Sequence, residues 1–181
     1  TILEQTEKLD FLIQSLVKLS RMESGIIAVH SEDTTIKQML ESIQQQFNVK
    51  VREKNITLSL CDTDLHVRCD SKWTMEALGN IVDNAIKYTA CGGNVQIKVE
   101  QYSFFVKIDI IDDGIGIEKE EIPKIFGRFY RSLSVADQPG VGIGLFLARE
   151  IIQAQKGYIK VTSKRGKGST FSVFLPIAKK E

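Results

Sequence analysis

The chain has 181 residues, 43% hydrophobic and 26% charged, with a net charge of +1. That is enough for one domain with a sizeable core and an appendage, and the bulk charge argues for neither nucleic acid nor an anionic membrane as a partner. Three cysteines, Cys61, Cys69 and Cys91, form no CxxC pair and read as reduced thiols in a cytosolic setting. No apolar run reaches the length of a membrane span, and the first residues carry no signal-peptide pattern. With no initiating Met, the sequence reads as part of something longer.

The opening "TILEQTEKLDFLIQSLVKLSRMESG" repeats apolar residues at Ile2, Leu9 and Leu16 and, less perfectly, at Gln5, Leu12 and Leu19, widened by Ile13 and Val17. Heptad-like spacing predicts a helix that stops at Gly25 and wants helical partners, in its own domain or in an intermolecular bundle. "GIIAVH" is then expected as a short strand, and Thr34 to about Glu53 as a helix with Ile36, Met39, Leu40, Ile43 and Phe47 on one side. "ITLSL" and "LHVRC" read as strands around a turn at Asp62–Asp64. A helix from Lys72 to Tyr88 ends before "CGG". "NVQIKVEQ" and "FFVKIDIID" form a hairpin around Tyr102 and Ser103. A glycine-rich loop runs from Gly114 to Gly142, a helix from Gly144 to about Ala154, and "YIKVTS", "KRGKG" and "STFSVFLP" make a closing hairpin. Strands and helices mix without strict alternation, which points to an α+β fold: a two-layer sandwich of a mixed sheet of about five strands with helices on one face.

Within the middle helix, Met75, Leu78, Ile81, Val82, Ala85 and Ile86 fall on one side, and Trp73, Glu76, Ala77, Asn80, Asn84 and Lys87 on the other. A solvated helix face more usually carries Glu, Lys or Gln than Asn, which has poor helix propensity. An Asn carbonyl oxygen can ligate a hard cation such as Mg²⁺, and Lys87, one turn on, can reach a phosphate. In "VKIDIIDDGIGI", period two places Asp112 at the end of a buried row with Val106, Ile108 and Ile110. Such a carboxylate needs a partner. An exocyclic amine such as adenine N6 would serve, and so would a cap on the following turn. Gly114 and Gly116 let backbone or ligand come close. Gly140, Gly142 and Gly144 lead into a helix whose first N–H groups suit phosphate. They follow no strand and lack the GKS/T of a P-loop.

Four segments in order, "NIVDNAIKYT", "DDGIGI", "IFGRFYRS" and "GVGIGL", resemble the N, G1, F and G2 boxes of the sensor histidine kinase ATP-binding domain, of the superfamily shared with gyrase-type and heat-shock-chaperone ATPases. The resemblance runs from about Thr34 to Pro176. It implies a protein-histidine kinase domain that passes the γ-phosphoryl of Mg-ATP to a histidine on a dimerisation helix, for relay to a response-regulator aspartate. It makes Asn84 the Mg²⁺ ligand and Asn80 its catalytic neighbour, with Lys87 and Tyr88 on phosphate or sugar. Asp112 becomes the reader of adenine N6, with Gly114 and Gly116 shaping that wall. Phe126 and Phe129 anchor a mobile ATP lid, near which Arg128 and Arg131 are the basic residues. Gly140, Gly142 and Gly144 hinge the lid, with Leu145 beside them. Ser169 or Thr170 supports an adenine-bound water, Thr170 being counted with the nucleotide contacts.

The same resemblance divides the chain into 1–25, the second helix of a dimerisation and phosphoacceptor hairpin, and 26–181, the catalytic domain. It implies homodimerisation through those helices in a full-length, membrane-anchored bacterial sensor, with this portion cytoplasmic. His30 and His66 stand in no H-E/D motif and are expected not to accept phosphate. Where many members carry a basic residue before G2, this chain has Asp137 and Gln138. Two competing functions stand beside this one. An ATP hydrolase or ATP-driven clamp of the superfamily would place a Glu where Asn80 stands, and an amide is no general base. A nucleotide-sensing or dimerisation module would have no transferase activity.

Overall fold

The structure is a computed structural model. It describes residues 29–132, 135 and 140–178, together with Thr6, Leu9, Asp10, residues 12–14, Leu16, Val17 and Ser20. Those early residues are helical, as the heptad spacing predicts. Leu12 packs against the domain core, while Leu9, Ile13, Leu16 and Val17 are exposed.

Elements follow in the order β1 (Glu32–Thr35), α1 (Ile36–Glu53), β2 (Thr57–Leu60), β3 (His66–Cys69), α2 (Ser71–Tyr88), β4 (Asn94–Gln101), β5 (Phe105–Asp112), α3 (Gly144–Ala154), β6 (Tyr158–Ser163) and β7 (Ser169–Pro176). The expected strand at "GIIAVH" is not found where it can be judged. Val29 and His30 lie outside any strand, and residues 25–28 fall outside the described residues. The strand forms a few residues later because β-branched Thr34 and Thr35 pair antiparallel with Val67 and His66. That pairing consumes two residues expected in the helix, so α1 begins at Ile36.

Five strands form one mixed sheet in the order β2-β4-β5-β7-β6, and β1 and β3 form a separate ribbon. Only β2–β4 is parallel; the expected β4–β5 and β6–β7 hairpins are antiparallel. Helices α1, α2 and α3 cover one face. Ile36, Leu40 and Ile43 of α1, Leu78, Ile81 and Ile86 of α2, and Leu147 and Ile151 of α3 are fully buried with Ile97, Ile108 and Ile110 of the sheet. Each such side chain is worth about 1.5–3 kcal/mol as an upper estimate.

Among the described residues no helix lies on the other face, where side chains of the sheet itself pack together. Tyr158 stacks on Phe174 at 4.4 Å. Lys107 bridges Glu100 at 2.8 Å and Asp109 at 2.9 Å. Ser172 donates to Asp109 at 2.5 Å. The two carboxylates hold the Lys107 ammonium well above the ordinary lysine range.

Helix α2 corrects one expectation. Ala77, assigned to the polar side, is completely buried, and Trp73 packs against the core. Helix α3 lies along α2, with Gly144 against Asn80, and covers that flank. The apolar arc of α2 is therefore wider than one sheet-facing stripe, and its polar row is confined to the last three turns.

Candidate nucleotide site

A cleft of about 200 Å³ opens between the end of α2, the end of β5 and the start of α3. Of the residues expected to act, Asn80, Asn84, Lys87, Tyr88, Asp112, Gly116, Arg131, Gly140, Gly142, Gly144 and Leu145 line it. Gly114, Phe126, Phe129 and Thr170 do not.

One wall is built on the sheet. Asp112 ends β5 directly opposite Ser169 of β7 and is 7% exposed. Its Oδ1 accepts from the Gly114 N–H at 2.9 Å and the Ser169 N–H at 3.3 Å. The carboxylate therefore does cap the following turn, yet with one oxygen only. Oδ2 has no protein partner among the described residues and is not sealed off. Burial pushes the Asp112 carboxyl above the ordinary carboxylate range, helped by the neighbouring Asp113 charge and opposed by the two N–H donors. Asp113, the second acid of "DDG", turns the other way. It accepts from the Asn94 backbone and side-chain amides, both at 2.8 Å, and is held below the usual range by the first of these.

Gly114 shapes this wall from behind. A Cβ there would lie 2.5 Å from the Tyr88 carbonyl oxygen, so only glycine lets β5 run against the end of α2. Of the two closing-strand candidates it is Ser169 that faces the cleft. Alternation along β7 puts Thr170 on the opposite side, with Ser169 and Phe171 lining. Period two counted back from buried Val173 and Phe171 finds Ser169 without a structure. Its hydroxyl lies 2.9 Å from that of Ser163, which donates to the Gly168 carbonyl and accepts from the Ile117 N–H, both at 2.8 Å.

The facing wall is helical. Asn80, Asn84 and Lys87 stand on successive turns of α2 and share one face. Asn84 makes no protein hydrogen bond among the described residues. The Asn80 Nδ2 is buried with no partner there either, while its Oδ1 lies 3.1 Å from where a Gly144 Cβ would stand. Lys87 Nζ lies over the Tyr88 ring at 4.8 Å, and a Cβ on Gly140 would meet it at 2.9 Å. The N-cap of α3, Ile143, makes no side-chain cap, and Gly144 and Leu145 at its start line the cleft, where helix N–H groups suit an anion.

The aromatic pair behaves as two different residues. Phe126 packs against the core under the Arg149 guanidinium, 5.5 Å from its ring. Phe129 is exposed and adopts φ 60°, a left-handed conformation rare for a bulky side chain. That conformation carries the chain past Gly142, where a Cβ would meet the Tyr130 carbonyl at 2.7 Å. Arg131 donates to the Val135 carbonyl at 2.9 Å. Asp137 and Gln138, which stand where many members carry a basic residue, lie outside the described residues. Sequence reasoning missed Asp83, which lines the cleft beside Asn84 and pairs with Lys50 of α1 at 2.5 Å; it offers no motif of its own. It also missed Tyr130, which donates to Glu121 at 3.1 Å.

The two expected bystanders sit elsewhere. The His30 backbone N–H donates to Asp70, the N-cap of α2, roughly 25 Å along the helix from Lys87 at 1.5 Å per residue. His66 Nδ1 pairs with Asp33 at 2.6 Å on the separate ribbon.

Residues 69–179 match the family described as histidine kinase-, DNA gyrase B- and HSP90-like ATPase. The chain is 34% identical over 177 residues to the sensor histidine kinase WalK of Bacillus subtilis, covering 95% of this chain and 29% of that protein. It is 30% identical over 171 residues to the sensor protein kinase PmrB of Pseudomonas aeruginosa, covering 94% and 36%. The chain thus spans about a third of the length of these relatives. Among solved structures, the Acinetobacter baumannii histidine kinase AdeS superposes with a TM-score of 0.76 at 26% identity, covering 98% of this chain and 82% of that one. The chain belongs to the histidine kinase-, DNA gyrase B- and HSP90-like ATPase family, as an ATP-binding domain of the sensor histidine kinase type.

Proposed function

We propose that this domain binds Mg-ATP and places its γ-phosphoryl for attack by a histidine on a dimerisation helix, from which a response-regulator aspartate takes it. The observation that carries this reading is the Asp112 carboxylate, one oxygen held by backbone N–H groups and the other left to the cleft, facing the Asn84–Lys87 row. Asp112 Oδ2 accepts the adenine amine. Lys87 and the N–H groups that open α3 take the phosphates.

Among the described residues no cluster of three His, Cys, Asp or Glu could hold a metal. The donor set is an unpaired Asn84 amide oxygen, which suits a small hard cation that takes most of its ligands from phosphate and water. Asn84 would hold Mg²⁺, which supplies charge neutralisation at the transferring phosphoryl group. Asn80 stands one turn away as an amide, so the site lacks a carboxylate base there to activate water. That supports transfer over hydrolysis.

The further assignments rest on the sensor kinases that the chain resembles. Residues 1–25 form the second helix of a dimerisation hairpin and 26–181 the catalytic domain. The whole protein is a membrane-anchored homodimeric sensor with this part in the cytoplasm, and nucleic acid is not a partner. Calorimetry of the chain with Mg-ATP and Mg-ADP tests the binding. Radiolabelled ATP, with and without a separately supplied dimerisation hairpin bearing the phosphoacceptor, tests the chemistry. Label is expected on the hairpin's histidine and none on this chain. Stoichiometric acid-labile label on this chain alone would overturn the assignment of His30 and His66 as bystanders.

A further inference from the structure

We propose that Lys54, outside every sequence motif of the site, is the positioning residue that sets the phosphate side of the cleft. The inference rests on the nucleotide reading above. Helix α2 ends without glycine: its C-cap, Thr89, is extended at φ −80° and ψ 138°, so the usual left-handed closure is missing. The last carbonyls of a helix must find donors. Here one ammonium supplies them. Lys54 Nζ donates to the carbonyls of Ile86 at 2.9 Å, Lys87 at 2.8 Å and Thr89 at 2.8 Å.

A lysine ammonium has three donors, and all three are spent on four residues of one helix end. The cation also meets the negative end of the α2 dipole. Lys54 is itself the C-cap of α1, and its carbonyl accepts from the Gly92 N–H at 3.0 Å. One residue thus ties the ends of two helices to the turn before β4.

The held segment is the one that bears the site. Lys87 and Tyr88 line the cleft, and the Tyr88 carbonyl accepts from the Ile115 N–H at 3.3 Å, at the foot of the facing wall. Four residues before Lys54, Lys50 grips Asp83 at 2.5 Å, so the last turn of α1 clamps α2 on both sides of Asn84. Asp112, by contrast, is held by strand register and by the N–H groups of Gly114 and Ser169, with which Lys54 makes no hydrogen bond. Loss of the ammonium should therefore fall on phosphate recognition and spare adenine recognition.

The test is titration calorimetry of the whole chain with Mg-ADP and with adenosine, well below the melting temperature. Lys54→Met keeps the aliphatic stem and removes the donors; Tyr158→Ala, on the open face of the sheet, is a control for lost stability. Lys54→Met is expected to bind Mg-ADP about tenfold more weakly and adenosine nearly as before, and Tyr158→Ala to change neither. Lys54→Arg keeps the charge, but a planar fork cannot converge three donors on these carbonyls. It is expected to fold and to show the same selective loss in smaller degree, and it replaces Lys54→Met should that variant not fold. A lower melting temperature with wild-type Mg-ADP affinity, or equal losses for Mg-ADP and adenosine, would overturn the positioning role alone. Absence of nucleotide binding by the wild-type chain would overturn the nucleotide reading and this inference with it.

Discussion

The sheet wall and the helix wall of the cleft hold their functional groups by different means. Asp112 stands in a register of paired strands, opposite Ser169 and beside Val95, and its backbone neighbours already occupy one of its oxygens. Asn84 and Lys87 project from a helix whose end is secured by side chains of α1. The first wall is rigid because main-chain pairing fixes it; the second is set by long side chains and glycine hinges. A flat, invariant base suits the first wall, and a phosphate chain that must be bound, transferred and released suits the second.

Asn84→Ala probes the helix wall most directly. Among the described residues Asn84 has no hydrogen-bond partner to lose, so the Mg²⁺-dependent part of ATP affinity should vanish while the apo fold stays intact. Melting should be unchanged or slightly raised, since alanine improves helix propensity by up to about 0.7 kcal/mol. A large drop in apo stability with Mg²⁺ dependence preserved would make Asn84 a structural residue.

Asp112→Asn probes the sheet wall. Its Oδ1 can keep both N–H donors, so the domain should fold. The oxygen proposed to meet adenine loses its charge, and the position can present an NH₂ instead. A charged hydrogen bond is worth about 1.5–3 kcal/mol, so affinity should fall roughly ten- to a hundredfold. Unchanged affinity in calorimetry would remove Asp112 as the base reader.

The rigidity attributed to the sheet wall can be broken from behind. Gly168 has φ 87°, and a Cβ there would collide with the Asp112 carbonyl oxygen; Gly166, in the same turn, has φ 74° and open space around it. Gly168→Ala should destabilise the domain by about 1–3 kcal/mol and weaken nucleotide binding. Gly166→Ala should show only the smaller cost of its backbone angle, about 1 kcal/mol, with affinity retained. Urea unfolding and calorimetry of the pair decide it: equal losses of stability and affinity would mean that the contact behind Asp112 does not matter.

The two walls were also unequally legible. Period two along "VKIDIIDD" locates Asp112 at the end of a buried row, and the hairpins on either side follow from turn residues and alternation. On α2 the sheet-facing row is legible, but Ala77 is not, because a second helix covers its flank and nothing local announces that packing. The choice of Ser169 over Thr170 was available from alternation along β7. Lys50, Lys54 and Asp83 were not: their roles arise from the crossing of α1 over α2, and an exposed-looking lysine in a helix's last turn has many ordinary uses. β1 is not legible locally because its pairing partner, β3, lies some thirty residues on, and its own residues are polar where an isolated strand would show an apolar run.

The smallest effect concerns the charge of Asp112 itself. Burial raises its folded-state carboxyl above the unfolded value, so the folded chain binds a proton at this site that the unfolded chain does not. Its contribution is therefore most favourable below the unfolded value, and stability is lost as pH rises through the window up to the raised folded value. This runs opposite to a salt-bridged aspartate. Carboxylates other than its neighbour Asp113 titrate alike in wild type and in Asp112→Asn, so the difference between the two reports Asp112 together with its coupling to Asp113. In the absence of nucleotide, Asp112→Asn should be the more stable near neutrality, and its advantage should shrink as pH is lowered toward about 4, the ordinary range of an aspartate. Nucleotide affinity of the wild type should decline over the same window, as the oxygen facing adenine takes up a proton. Urea midpoints of both proteins at a series of pH values measure the first effect, and calorimetry the second. An advantage of Asp112→Asn that is constant or grows on acidification would mean that Asp112 is stabilised as an anion by the N–H groups of Gly114 and Ser169, and that its wall needs no ligand to complete it.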